Sequence, residues 1–315
     1  MYRSLKVAVV VPCYNEEKLA PVTVKGIPDY VDTIYAVNDA SKDGTLAVLK
    51  HRAKKDARIT VVNNEVNLGL GGSMLRVFTA IENSDNDLLV VMAGDNQMDP
   101  KRLPALLDAL IDNSADFAKA NRFAMNQSLE QMPKYRKIGN VIVSILTKFS
   151  TGYYSLFDSQ NGYVVYKVDT IRKLPKHIIG TRYEYENTVL VALSIIGAKV
   201  VDVPIPAVYG EEKSTINLLG TTLRTIKALH KGFWQRIYYK YVMYSFHPIA
   251  LFLFTSIVLF LFSFVWVGFI LYAKLFKDIS ATTGTTMLAV IPFVLAVQFL
   301  LTAIILDTQE EHRAK

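Results

Sequence analysis

The amino-acid sequence predicts an α/β domain, a mainly parallel sheet with helices on both faces, followed by basic amphipathic helices and a two-helix transmembrane hairpin. Three observations predict it. Short β-branched runs alternate with helical stretches through residues 1–212, two later stretches of 26 and 28 residues carry no charge, and the net charge of +7 is unevenly placed along the 315 residues.

The strands and helices come in order. Val7–Val11, Thr33–Val37, Ile59–Val62, Leu88–Met92 and Asp116–Ala118 read as strands. Lys18–Gly26, Asp43–Ala53, Gly72–Asn83 and Pro100–Asn113 read as the helices that follow the first four. Short apolar strands separated by helices of this length form a parallel sheet covered on both faces. Ligands of such sheets sit beyond the carboxyl ends of the strands, so functional residues belong in the loops that follow each strand.

Pro248 to Ala273 and Ile279 to Leu306 are the uncharged stretches, and a membrane span needs about 20 mainly apolar residues. Five residues, Lys274 to Asp278, join them and allow only a tight turn. Pro292 lies in the second stretch, where packing against the first helix compensates for the lost backbone bond. The domain boundaries expected are therefore 1–212 for the α/β domain and 213–246 for interfacial helices. A hairpin over 247–306 follows, with spans at about 248–273 and 284–306, and then a tail at 307–315.

Charge divides the chain in the same places. From Lys213 to Lys277 there are eight Lys and Arg and no Asp or Glu, whereas residues 1–212 hold 25 basic and 24 acidic side chains. The excess is thus a local collar, and a nucleic-acid footprint on the folded domain is not expected. The positive-inside bias places the collar and the N-terminal domain on the cytoplasmic face. Apolar and aromatic residues mix with the cations from Thr215 to Phe246, which suits helices lying among membrane lipid headgroups. With 51% hydrophobic and 20% charged residues the chain is not disordered. The single cysteine, Cys13, excludes an intramolecular disulfide and a cysteine-based zinc site, and fits a reducing compartment. The N-terminal MYRSLKVAVVVPCYNEE has an apolar run of only about seven residues and does not read as a signal peptide.

Four polar loops converge at the strand ends: Pro12–Glu17, Asn38–Thr45, Asn64–Ser73 and Ala93–Pro100. Each alone reads as a cap or a turn. Together they suit a nucleotide diphosphate. Asp39 can accept hydrogen bonds from a base or ribose. The Gly69–Gly72 turn lets backbone amides approach phosphates at a helix N-terminus. Asp95 and the amide oxygen of Gln97 offer hard oxygen ligands to Mg²⁺ or Mn²⁺ on the diphosphate.

In this order, VVVPCYNEE, VNDASKDGT, NLGLGGSM, AGDNQMDP, KANRF, DSQNGY and VPIPAVYGEEKS resemble the blocks of the family 2 inverting glycosyltransferases of the GT-A fold. The branch they look most like contains dolichol-phosphate mannose synthases and polyprenyl-phosphate glycosyltransferases. The resemblance covers residues 5–216 and extends to the two spans. It implies that Pro12, Tyr14, Glu16, Asp39 and Asn96 hold the nucleotide sugar, with Gly69, Gly71 and Gly72 facing it. It implies that Asp95 and Gln97 hold the metal, that Arg122, Lys213 and Ser214 meet the acceptor phosphate, and that Asp158 lies near the reacting centre.

Two departures stand out. The family's first metal-site acid is Ala93 here, and the arginine that often precedes its Ser-Lys is missing from Tyr209–Ser214. The resemblance implies sugar transfer from a nucleotide diphosphate, a UDP-sugar such as UDP-glucose being favoured, to a polyprenyl or dolichyl phosphate. A GDP-mannose donor stays open, and a homo-oligomer is compatible with the sequence. A polysaccharide synthase is a rival, but Gln235-Arg236 lacks the Q-x-x-R-W spacing of those enzymes. An inactive nucleotide-sugar-binding membrane subunit is the other rival, suggested by Ala93.

Overall fold

Seven strands form one sheet in the order β3-β2-β1-β4-β6-β5-β7. The computed structural model describes residues 1–122, 134–206 and 218–313. Through the first of two compact units, Met1–Trp234, strand and helix alternate: β1 Val7–Cys13, α1 Ala20–Gly26, β2 Thr33–Asp39, α2 Thr45–Ala53, β3 Ile59–Asn64, α3 Gly69–Ile81, β4 Leu88–Val91, α4 Leu103–Asp112 and β5 Phe117–Asn121. Then come α5 Lys134–Thr151, β6 Val164–Lys167, α6 Val168–Lys173, α7 Tyr185–Ile195, β7 Val200–Pro204 and α8 Leu218–Arg236, whose last residues run into the second unit.

The α/β class and the first five strands are as the sequence predicts. Strands β1 to β4 pair in parallel, β1 lying between β2 and β4. Val7 to Val11 have no exposure, the continuous apolar run expected of a strand covered on both faces. Leu103, Leu106, Leu107 and Leu110 of α4 bury against one face with Val24 of α1. On α3 the residues at three- and four-residue spacing, Met74, Val77, Phe78 and Ile81, are likewise buried.

The sequence reading missed β6 and β7. Strand β6 runs antiparallel between β4 and β5, and β7 adds in parallel to β5. The insertion of β6 brings the Asp158–Gly162 segment, just before it, to the same edge as the end of β5. Helix α3 also begins three residues earlier than expected, at Gly69, because a carboxylate waits at its N-terminus.

The second unit, Gln235–Lys315, contains a π-helical turn at Ile237–Met243, α9 at Pro248–Lys277 and α10 at Thr283–Arg313. Both long helices are apolar and long enough to cross a membrane. Ala289, Ala296 and Ala303, seven residues apart, are buried, and such small residues let two helices approach closely. Ser256 and Ser263 donate to the carbonyls of Ala296 and Ala289 at 2.8 and 2.7 Å, one on each side of Pro292. Arg236 has no exposure and forms a two-pronged pair with Asp307, at 2.6 and 2.9 Å, with the Tyr241 hydroxyl donating to the same carboxylate at 2.5 Å. Arg236 therefore does not belong to the exposed cationic collar; Arg224, Lys227 and Lys231 do.

Candidate active site

The loops after β1 and β2 are stitched into one wall. Asn15, at positive φ, donates its amide to Ser41 Oγ at 3.0 Å and accepts from the Lys42 amide at 2.9 Å. Glu16 N donates to Thr45 Oγ1 at 2.8 Å, and Asp43 accepts from Glu17 N and from the amide and hydroxyl of Thr45. Those hydrogen bonds hold the Asp43 carboxyl below its usual value against the opposing effect of burial, which is the largest single influence on it. Pro12 is partly buried at the end of β1, while Tyr14 is exposed beside it.

Asp39 is 5% exposed, and its carboxylate is engaged by the protein. The amides of Leu68 and Gly69 donate to its two oxygens at 2.8 Å each, and Asn64 Nδ2 adds a third bond at 2.9 Å. The first amides of a helix have no partner within it, and Asp39 supplies one from β2. Asp39 thus anchors the α3 N-terminus, and the glycine turn is packed against backbone. Gly72 N donates to Thr181 O at 3.0 Å, and a Cβ on Gly71 would meet the Gly180 carbonyl at 2.0 Å. These glycines are needed for close approach of two chain segments, with the amides of Gly69 and Gly72 already spent.

After β4, Gly94 lies against β1, its amide bonded to Pro12 O at 3.1 Å. Asp95 accepts from the Gln97 amide at 3.0 Å across Asn96, which has positive φ. Burial raises the Asp95 carboxyl above its usual value, and the Gln97 amide opposes that. Among the described residues, no three His, Cys, Asp or Glu side chains cluster as metal ligands. The donor set is one carboxylate and one amide oxygen, which fits Mg²⁺ or Mn²⁺. Such ions are commonly held by one or two carboxylates, with substrate phosphates and water completing the shell.

The second cluster lies at the end of β5. Asp158 is fully buried and takes three bonds from Arg122: its amide at 3.1 Å, Nε at 2.7 Å and Nη2 at 2.9 Å. The Arg122 side chain keeps 34% exposure. Asn121 donates to Asp202 of β7 at 2.6 Å, and burial pushes that carboxyl up to about 6. Lys213 and Ser214 lie outside the described residues. The structure thus joins Arg122 to Asp158 directly and assembles Pro12, Glu16 and Asp95 along neighbouring strand ends.

Sequence reasoning missed Asn64, Asp202, Lys119 and Glu186. Lys119 lies one residue past the strand expected at Asp116–Ala118 and in the middle of the observed β5, FAKAN. Glu186, in the first turn of α7, has its carboxyl pushed up to about 7, chiefly by burial.

The glycosyl transferase family 2 model matches residues 8–174. Over 215 residues the chain is 25% identical to a UDP-N-acetylglucosamine–dolichyl-phosphate N-acetylglucosaminyltransferase of Methanococcus voltae, covering 64% of this chain and 85% of that one. Over 222 residues it is 29% identical to an undecaprenyl-phosphate mannosyltransferase of Micrococcus luteus, covering 69% and 90%. A solved structure of glucosyl-3-phosphoglycerate synthase from Mycobacterium tuberculosis, with Mn²⁺, UDP-glucose and phosphoglyceric acid, matches with a TM-score of 0.55. That match has 17% identity and covers 73% of this chain and 80% of that one; it shows a shared fold.

Proposed function

The chain belongs to glycosyl transferase family 2, and from that premise we propose that it moves a sugar from a nucleotide-diphosphate sugar to the phosphate of a polyprenyl lipid. The observation that carries the acceptor assignment is the Arg122–Asp158 pair. A buried carboxylate fixes the guanidinium by two side-chain bonds, while a third of the arginine side chain stays open at the strand ends. A guanidinium so held is a preorganised receptor for phosphate oxygens. The names of the Methanococcus and Micrococcus relatives, with dolichyl and undecaprenyl phosphate as acceptors, support the same reading.

A phosphate monoester is largely dianionic near neutral pH, its second pKa being about 6, so no strong general base is needed. One of its oxygens attacks the anomeric carbon from the face opposite the leaving group. The new C–O bond forms as the bond to the diphosphate breaks, and the configuration inverts. Arg122 orients the attacking phosphate, and Asp158 keeps Arg122 in place. Lys213 and Ser214 complete the acceptor contacts in this proposal. Pro12, Tyr14 and Glu16 shape the nucleoside end, with Asp39 fixing the wall behind it. A divalent cation held by Asp95 and Gln97 would supply charge neutralisation for the departing diphosphate.

We read the donor as a UDP-sugar, a choice supported by the UDP-linked relative. We also place the catalytic unit on the cytoplasmic face, as the exposed Arg224, Lys227 and Lys231 favour. Exposed apolar residues on α5 and α8, among them Ile142, Ile145, Leu223 and Trp234, suit contact with a membrane surface.

The test is to incubate membranes containing the full chain with a panel of labelled sugar nucleotides and polyprenyl phosphate, then measure label in the organic phase. Label that requires polyprenyl phosphate and is lost in Asp95→Ala supports the proposal. A water-soluble acceptor that works equally well would overturn it.

A further inference from the structure

Strand β5 buries a cation. Lys119 is 2% exposed, between Ala118 and Ala120, which have no exposure. Burial lowers its ammonium below the usual lysine range, and Glu186, Asp158 and Asp202 partly offset that while Arg122 adds to it. A chain gains nothing by burying an ammonium unless its partners do something a methionine could not.

Its partner is in the turn that carries Asp158. Nζ of Lys119 donates to the carbonyl of Asn161. Asn161 in turn organises its neighbours: its side-chain amide reaches the Asp158 carboxylate at 3.4 Å, and its Oδ1 accepts from the Tyr163 amide at 3.0 Å. Glu186 lies close to the same turn. It lines a small cavity with Lys119, Asn161, Gly162, Leu70 and Tyr185, and a Cβ on Gly162 would lie 3.2 Å from its Oε1. The turn from Asp158 to Gly162 therefore meets a buried ammonium at the Asn161 carbonyl and a buried carboxylate near Gly162.

We propose that Lys119 is a positioning residue for sugar transfer: its ammonium pins the Asp158–Gly162 turn through the Asn161 carbonyl, and so sets the Asp158–Arg122 pair, with Glu186 as counter-charge. The kinetic consequence rests on the lipid-phosphate transfer reading above; the structural consequence does not. A strand ammonium acts here as a fixed peg, since it has no flexible loop of its own and its backbone is locked in register with β6 and β7.

Two measurements on the full chain test this, in detergent or membranes. Hydrogen exchange of Lys119→Met should rise in peptides covering 158–163 and at Arg122, while peptides over β1 and α3 exchange as in wild type. Steady-state transfer should lose on the order of 10- to 100-fold in kcat, with the KM for the sugar nucleotide within about 3-fold because the nucleotide walls stand on other strands. Faster exchange spread over the whole domain, or unchanged exchange at 158–163, overturns the proposal. So does a loss that falls mainly on the donor KM. If Lys119→Met does not accumulate, Lys119→Met/Glu186→Gln, which leaves no unpaired charge between the two sites, must show the same local exchange and the same kcat loss. Wild-type membranes that label no lipid with any donor would instead remove the transfer reading, and the exchange result would still decide whether Lys119 holds the turn.

Discussion

Two arginine–aspartate pairs, one in each compact unit, each make a two-pronged contact in different surroundings. In the α/β unit Asp158 is sealed while Arg122 is one-third open. In the hairpin unit both Arg236 and Asp307 are enclosed, at 0% and 7% exposure, and Tyr241 takes up a further valence of the carboxylate. The first pair meets side-on, through Nε and Nη2 with the Arg122 amide as a third donor, and the second end-on, through Nη1 and Nη2. Access differs: the Arg122 side chain is one-third exposed, and that of Arg236 is enclosed.

The largest effect expected from breaking this contrast is on stability. Arg236→Met leaves Asp307 buried without its cation and should cost about 3–5 kcal/mol, read as a fall in the unfolding temperature of the full chain in detergent. Arg236→Met/Asp307→Leu should recover most of that loss. Arg122→Met acts on the open pair. Transfer should fall by about 10²–10³-fold, as when a preorganised charge donor is removed, and thermal stability should fall as well, because Asp158 is left buried without its cation. Transfer that survives Arg122→Met would abolish the distinction.

A pH titration sharpens the picture of the α/β unit. Burial raises Glu186 to about 7 from an ordinary value near 4.5. The folded chain then keeps a proton that the unfolded chain has released between these values. The stabilisation from this group is full below pH 4.5 or so and is lost as pH rises through about 7. Glu186→Gln should remove that slope, up to about 1.4 kcal/mol per pH unit, from chemical denaturation curves. A wild-type curve flat across this range would contradict the enclosure of Glu186.

Smaller effects are expected where sites are exposed. Ala93→Asp restores a second acid beside Asp95 and should lower the half-saturating Mn²⁺ or Mg²⁺ concentration by about 10-fold, a typical gain for one added carboxylate contact on a cation. Lys227→Gln and Lys231→Gln should each weaken partition onto anionic vesicles by about 5-fold, less at high salt, and leave sugar-nucleotide binding unchanged. Arg236 no longer belongs in that set.

How much of this was legible in the sequence depends on the range of the interaction. Strands β1 to β5 and the hairpin follow from local runs of apolar residues, and the Asp158 and Arg122 motifs can be seen in the string itself. Strand β6 cannot be placed that way, because Val164–Lys167 pairs antiparallel with β4, more than 70 residues earlier. Asp39 reads as a nucleotide ligand in the string, which does not show the Leu68 and Gly69 amides that also donate to it. Arg236 reads as one cation among several until Asp307, 71 positions away, meets it. Lys119 falls just past the strand expected at Asp116–Ala118, and its contact with the Asn161 carbonyl, 42 positions away, is visible only in three dimensions.

The π-helical turn at Ile237–Met243 bears on chain length. Arg236 and Tyr241 are five residues apart, which in an α-helix would turn them about 140° from each other. The wider turn brings both onto Asp307. Removing one residue between them would restore a regular α-helical ladder with the pair four apart and about 40° from each other, so both would still face the acid. The wide turn thus absorbs one extra residue without separating Arg236 and Tyr241 from Asp307, and a homologue one residue shorter here can keep the same buried carboxylate.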